Sequence, residues 1–276
     1  MNTAASPPAT APRPLVQWNP RDYVAHSTAQ LAWANELLAR PNLRGNERIL
    51  DVGCGDGRIT AQVARAVLTG HVVGLDSSPE MIEFARASYL RASHPNLEFV
   101  CQEASAIRLD GPFDVVFSNA ALHWIADHAA LYRAVARLMP SGARLITSCG
   151  GRGNAAEFVA VVAELIRSEQ WAQGFGDFPF PWSFPGADES KRWLVASGFE
   201  PRRVTLVAKD MTHTGRDGLA AWVRTTWLPY TQRLPEDRRE AFVADAVERY
   251  LDRHPPDAAG QTHVGMVRLE VEAMRL

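Results

Sequence analysis

Eight consecutive residues carry the densest chemical signal in the chain: Leu50-Asp51-Val52-Gly53-Cys54-Gly55-Asp56-Gly57. Glycines at alternate positions remove Cβ atoms where a backbone must bend sharply and where a bulky ligand must lie against it. The apolar run Ile49, Leu50, Val52 ahead of the turn reads as a strand, and Ile59, Val63, Ala64 and Val67 behind it recur near helical spacing. That order places the glycines at the carboxyl end of a strand, where open α/β sheets bind their ligands. The spacing is G-x-G-x-G rather than the G-x-G-x-x-G of dinucleotide sites. A second acid, Asp76, ends the apolar run that starts at His71. It falls close to the interval of about twenty residues at which a carboxylate accepts hydrogen bonds from ribose hydroxyls. Turn and acid together point to a ligand that carries adenosine. The turn holds no arginine and no Walker lysine, so no phosphate is expected there.

Positioning these groups takes a sheet. From residue 47 onward strands alternate with helices: strands at 49–52, 71–76, 97–101, 113–118 and 143–148, with helices at 59–67, at 129–138 and behind the N-capping Ser78 with Pro79. The run 113–118 is apolar enough to be central and buried on both faces. After Cys149 the pattern breaks into a helix at 155–169 and a loop at 174–185 rich in glycine, proline and aromatics. A helix at 191–197 and a strand at 204–208 follow. Residues 215–256 read as helical, punctuated by Pro229 and Pro235, before a last strand at 264–274. The expected fold class is α/β: a Rossmann-like, mostly parallel seven-stranded sheet with helices on both faces and a helical insertion between the last two strands. Its expected divisions are a disordered leader at 1–14, lid helices at 15–46 and a ligand-binding core at 47–150. The rest of the sheet and a pocket loop occupy 151–214, a helical substrate cap 215–256, and the last strand 257–276.

Composition narrows the partners. The 276 residues are 46% hydrophobic and 22% charged with a formal net charge of -2, which gives no reason to expect nucleic acid or an anionic membrane surface. No apolar run is long enough to span a bilayer, and the leader lacks the cationic start and apolar core of a secretion signal. Cys54, Cys101 and Cys149 are far apart and odd in number. Free thiols in a reducing, cytoplasmic compartment are therefore expected, with no structural metal. The oligomeric state, monomer or dimer, is open.

Four motifs then resemble those of the class I S-adenosylmethionine-dependent methyltransferases: 50–57, Gly74-Leu75-Asp76-Ser77-Ser78, Glu103-Ala104 and 113–119. The resemblance implies S-adenosyl-L-methionine as cofactor and S-adenosyl-L-homocysteine as its product. Gly53 and Gly55 would lie against the methionine and ribose portions, with Gly57 completing the turn. Asp51 would meet the methionine amino group, directly or through water, and Asp76, followed by Ser77, would take both ribose hydroxyls. Met81 and Ala104 would flank the adenine, and Glu103, where the family more often has Asp, would accept from its exocyclic amine. Asn119 and Gln30 complete the implied cofactor set.

Three further stretches resemble the trans-aconitate methyltransferase group: Gln17-Trp18-Asn19-Pro20 with Tyr23; Asn119-Ala120-Ala121-Leu122-His123-Trp124 with Asp127-His128; and 222–230, followed by Leu234-Pro235-Glu236 and 242–251. That group includes enzymes that esterify small carboxylic acids, so a small-molecule carboxylate is the implied acceptor. A carboxylate is ionised near neutral pH and needs no general base, only a cation or donors to orient it. Arg224, Tyr23, Gln30, His123, Trp227 and Tyr230 are the candidates, with Trp18 and Trp124 beside them at the substrate. A hydroxyl or amine acceptor would want a base, and His123 is then the candidate. Tyr23 and His123 are thus the expected catalytic pair. Arg224 equally fits a solvated helix charge, and Trp222 and Trp227 the core of a helical bundle. Phe175, Phe178, Phe180, Trp182 and Phe184 fit an apolar pocket wall or an ordinary packed loop. Two other readings stay open. One is C-, O- or N-methylation of an apolar metabolite such as a terpenoid or polyketide, the other a cofactor-binding interaction protein without catalysis.

Overall fold

The computed structural model describes residues 16–26, 28–38 and 42–276, with side chains for all of these except 25, 26 and 28–30. The expected leader at 1–14 and the Gln30 side chain lie outside the described residues. Two helices, α1 (Pro20–His26) and α2 (Thr28–Leu38), open the fold. Strands and helices then alternate through β1 (Arg48–Val52), α3 (Arg58–Ala66), β2 (His71–Asp76), α4 (Pro79–Ser88) and β3 (Leu97–Cys101). β4 (Val115–Asn119), α5 (His128–Ala136) and β5 (Arg144–Gly150) continue the pattern. Next come α6 (Ala156–Leu165), α7 (Ala172–Phe175), α8 (Ala187–Ala196) and β6 (Phe199–Thr214). In the chain, α9 (Gly215–Thr226), α10 (Leu228–Thr231) and α11 (Glu236–Leu251) stand between β6 and β7 (Gln261–Arg275).

The strands form one seven-stranded sheet in the order β3-β2-β1-β4-β5-β7-β6. β1 to β5 pair in parallel, and β7 runs antiparallel to both β5 and β6. The order reverses between β1 and β4, so the loops leaving those strands open a crevice at their carboxyl ends. β4 is buried along its whole length, as a central strand covered by helices must be. Leu131, Tyr132 and Val135 of α5 and Leu194 of α8 build one sheet core; Leu37 of α2, Ala61, Val63 and Ala64 of α3, and Ile82 and Ala85 of α4 build another. Each such leucine, isoleucine or valine contributes about 1.5–3 kcal/mol by leaving water. A third core joins Phe158 and Val162 of α6 to Trp222 and Val223 of α9 and to Phe242 and Tyr250 of α11. It packs on β6 and β7 through Met211, Val264 and Met266 and holds together the helices that supply part of the crevice wall. The expected cap at Ser78 is present, its Oγ accepting from the Met81 amide at 3.2 Å, and Asp127 caps α5 with Oδ1 accepting from the Ala130 amide at 2.8 Å.

Several boundaries differ from expectation for identifiable reasons. β6 and β7 run for 16 and 15 residues, paired almost end to end. β6 is the edge of the sheet, so its polar residues, among them Arg202, Thr205 and Lys209, disguise it as loop. β4 begins at Val115 rather than Phe113, because the Phe113 amide turns to Leu138 O at 2.8 Å and Asp114 accepts from the Arg48 amide at 2.8 Å. The long run after Gly215 divides at its prolines: Pro229 occupies the first turn of α10, and Pro235 precedes α11. Cys54 and Cys149 are buried free thiols, whereas Cys101 is exposed. Among the described residues no helix is long and apolar enough to cross a membrane.

Candidate active site

The glycine turn folds back over the tip of β2, with the Gly53 and Cys54 amides both donating to Leu75 O at 2.7 and 3.0 Å. Gly53, Gly55 and Gly57 all take positive φ, at 78°, 53° and 79°. Their surroundings separate packing from binding. A Cβ on Gly53 would come within 2.1 Å of the Ala121 side chain, and one on Gly57 would strike Phe99 and Ala85 at 2.7 and 2.9 Å. A Cβ on Gly55 would meet nothing within 4 Å. Gly55 therefore borders open space, and a ligand lying there would rest on bare backbone.

Two acids flank that space. Asp76 Oδ2 accepts from the Gly55 amide and Oδ1 from the Ser78 amide, both at 2.9 Å, which leaves a lone pair on each oxygen for a pair of hydroxyls. Burial pushes this carboxyl up, against the Ser78, Gly55 and Ser77 amides that pull it down. Asp51 is buried at the end of β1 with one oxygen accepting from the Thr60 hydroxyl at 2.8 Å. Burial dominates here and lifts its carboxyl to about 7. Met81 is buried on α4, Ala104 is buried, and Glu103 and Ser77 are exposed beside them. These residues gather along the carboxyl ends of β1, β2 and β3. Asn119 ends β4, the strand beside β1, and its Oδ1 accepts from the Arg268 guanidinium at 3.4 Å.

A pocket adjoins the turn, because Ala120 lines it while Ala121 packs on Gly53. It encloses about 680 Å³, part of which is open to solvent. Trp18 and Tyr23 come from α1 and its approach, Trp33 from α2, and His123 and Trp124 from the loop after β4. Trp182 and Phe184 come from the loop before α8, Trp222 and Trp227 from α9 and its end, and Arg268 from β7. Six of the chain's eight tryptophans thus converge on one space. Ala120 holds a strained left-handed φ of 57°, fixed by its amide donating to Ser148 O at 2.7 Å. The α1 segment is tied at both ends: Arg58 Nη1 donates to Val24 O at 3.3 Å, and Gln232 Nε2 to Gln17 O at 2.6 Å.

The polar side chains lining this pocket, besides the indoles, are Tyr23, His123, Asn154, Thr226 and Arg268. Gly150's amide can only donate, and it reaches His123 Nδ1 at 3.3 Å, so the ring proton of the neutral imidazole sits on Nε2. Burial raises the Tyr23 hydroxyl to about 12, so it stays protonated at neutral pH. Arg268 is 3% exposed. Its Nε donates to Ser148 Oγ at 3.2 Å and its Nη2 to Ser148 O at 2.9 Å, and its plane lies over Trp33 at 5.3 Å. Nη1 makes no hydrogen bond to a described residue. No aspartate or glutamate is among the lining residues.

Two expectations are corrected. Arg224 is not in the pocket: it is exposed on α9 and forms a forked pair with Glu240 of α11, with contacts of 2.7 to 3.0 Å. The helical period turns Trp222 and Thr226 inward and carries Arg224 round to solvent. Tyr230 is buried one layer behind the wall, its ring 5.3 Å from Trp227 and 5.7 Å from Trp182. Of the aromatic loop, Trp182 and Phe184 line the pocket, Phe175 is core, and Phe180 points outward at 44% exposure. The cation that sequence reasoning missed is Arg268. In sequence it alternates with Val267, Leu269 and Val271 on the register it shares with Glu270 and Glu272, which reads as a solvent-facing row of charges.

The comparison with known proteins agrees with this geometry. A profile described as a methyltransferase domain matches residues 49–142. A trans-aconitate 2-methyltransferase of Rhodococcus jostii is 32% identical over 261 residues, covering 93% of this chain and 98% of that protein. An uncharacterized methyltransferase of Schizosaccharomyces pombe is 32% identical over 204 residues, covering 70% of this chain and 77% of its own. In fold, the chain is similar to the magnesium protoporphyrin IX methyltransferase of Synechocystis, solved with bound S-adenosylhomocysteine. That match has a TM-score of 0.55 at 17% identity, over 93% of this chain and 86% of that one. With the alternate-glycine turn, the acid at the tip of β2 and a relative matched along nearly its whole length, the chain belongs to the class I S-adenosylmethionine-dependent methyltransferases.

Proposed function

We propose that this enzyme methylates a carboxylate oxygen of a small-molecule acid, held in the aromatic pocket by Arg268. The observation that carries the reading is the pocket's polar inventory: one buried guanidinium, a tyrosine held protonated, a histidine whose Nδ1 is already engaged, and Asn154 and Thr226, whose Oδ1 and hydroxyl proton already bond the Val267 amide and Trp222 O. That set binds an anion and takes no proton. Methyl transfer to a hydroxyl, amine or carbon of an apolar metabolite would find no ready base in it. The curated relatives named trans-aconitate 2-methyltransferase fit the same chemistry.

The residues at the turn fit the cofactor: Gly55 borders open space, and each Asp76 oxygen retains an acceptor position. When bound, the cofactor supplies an electrophilic methyl carbon on a cationic sulfur, which a carboxylate oxygen takes as an ester while sulfur keeps the electron pair of the broken bond. Arg268, Tyr23 and His123 Nε2–H would orient that carboxylate, and Trp18 with α1 would exclude water. Incubation with methyl-labelled cofactor and a panel of acids tests the proposal. Label released as methanol by mild alkali supports it, and an alkali-stable product counts against it.

Two smaller effects follow. Arg224→Ala should leave KM for the acid and the cofactor affinity within about twofold, since the residue's Glu240 partner is an exposed surface pair. A rise in KM of tenfold or more would return Arg224 to the site. Asp51, lifted to about 7 by burial, must lose its proton to meet the ammonium group of the cofactor. Binding then releases a proton, and S-adenosylhomocysteine affinity should rise about tenfold between pH 5.5 and 7. Calorimetry in two buffers of different ionisation enthalpy checks both; a flat profile would remove Asp51 from that contact.

A further inference from the structure

Resting on the carboxylate reading above, we infer that the acceptor is a monocarboxylic acid with a flat apolar body, and that acids with two or three carboxylates are poor acceptors. The first support is a charge count. Arg268 is the one arginine among the pocket's lining residues, and no lysine accompanies it. Its Nε and Nη2 are committed to Ser148 and Asn119, which leaves Nη1 to meet one carboxylate. Among the described residues no acid is ion-paired with it; Glu270, two positions along β7, pairs with Arg203 at 3.2 Å. A second carboxylate would shed its water with no cation to receive it, which is costly in a buried site. Tyr23 and His123 supply dipoles, which can orient the first carboxylate without neutralising another.

The second support is the wall itself. Trp124 meets Trp18 edge-on at 5.3 Å and Trp182 at 5.8 Å. Trp182 in turn meets Trp227 at 4.9 Å and lies parallel to Phe184, at 8° and 6.1 Å. Rings that brace one another present flat apolar faces and have little freedom left to lose on binding. A ring system or conjugated chain covers such faces, whereas a hydrated polycarboxylate does not. An aromatic enclosure also attracts organic cations, but a guanidinium in the same space repels them. The acceptor class therefore differs from trans-aconitate, a tricarboxylate, for which several relatives are named.

Because six of the eight tryptophans line the pocket, ligand entry is readable as a change in intrinsic fluorescence. Enzyme saturated with S-adenosylhomocysteine is titrated with trans-cinnamate, indole-3-acetate, cinnamamide, tryptamine and trans-aconitate. The two monocarboxylates should bind about a hundredfold more tightly than the amide, the amine or the tricarboxylate. Equal or tighter binding of trans-aconitate overturns the inference and leaves carboxylate methylation standing. Preference for tryptamine or cinnamamide, or no response to either monocarboxylate, also overturns it. The carboxylate reading fails by a different sign, an alkali-stable methylated product.

Discussion

Replacing Arg268 with methionine is expected to lower kcat/KM for the acid about a hundred- to a thousandfold, the loss lying mainly in KM. The residue supplies the pocket's guanidinium, and methionine keeps an unbranched apolar stem while removing every donor. S-adenosylhomocysteine affinity should change by less than about threefold, because the cofactor-side acids Asp51 and Asp76 are untouched. Arg268 also holds Ser148 and Asn119 at the ends of β5 and β4, so a lowered melting temperature alone would report only structural damage. The split between acid KM and cofactor affinity distinguishes the two. Arg268→Lys should recover about tenfold, since an ammonium restores charge without the fork. A fall of less than tenfold in the methionine variant would place the acid elsewhere.

The second large effect is at Asp76. In Asp76→Ala, calorimetric affinity for S-adenosylhomocysteine should fall about a hundred- to a thousandfold, the sum of two charge-assisted hydrogen bonds. The same change frees the Gly55 and Ser78 amides, so the turn loses its brace as well as its acceptor. Asp76→Asn separates these roles: it keeps one acceptor oxygen and should bind more tightly than the alanine variant. Near-normal affinity in Asp76→Ala would remove this residue from the ribose contact.

The cofactor half was legible in the sequence because its demands are local. A backbone forced to positive φ selects glycine at 53, 55 and 57, and a strand covered on both faces selects the apolar run of β4. The acceptor half depends on contacts between distant parts of the chain. Arg268 meets Ser148 across 120 residues because β7 returns to pair with β5, and it lies in the one stretch of β7, 268–271, that is buried on both faces. Nothing in the local pattern of 264–274 announces that. Arg224 illustrates the converse. It sits on an amphipathic helix two positions from an inward tryptophan, yet α11 brings Glu240 to it and turns it into a surface pair. Aromatic content pointed to the right loops, while the choice between wall and core was made by packing: Trp182 faces the pocket and Phe175 does not.

Proton stoichiometry during turnover tests the central claim most directly. A sulfonium and a carboxylate become a neutral thioether and a neutral ester with no proton released, whereas methylation of a hydroxyl, amine or carbon liberates one proton per methyl group. In weakly buffered solution at neutral pH, with initial rates followed by pH-stat and S-adenosylhomocysteine measured in parallel, the account predicts no titrant uptake above background. One proton released for each S-adenosylhomocysteine formed would contradict it.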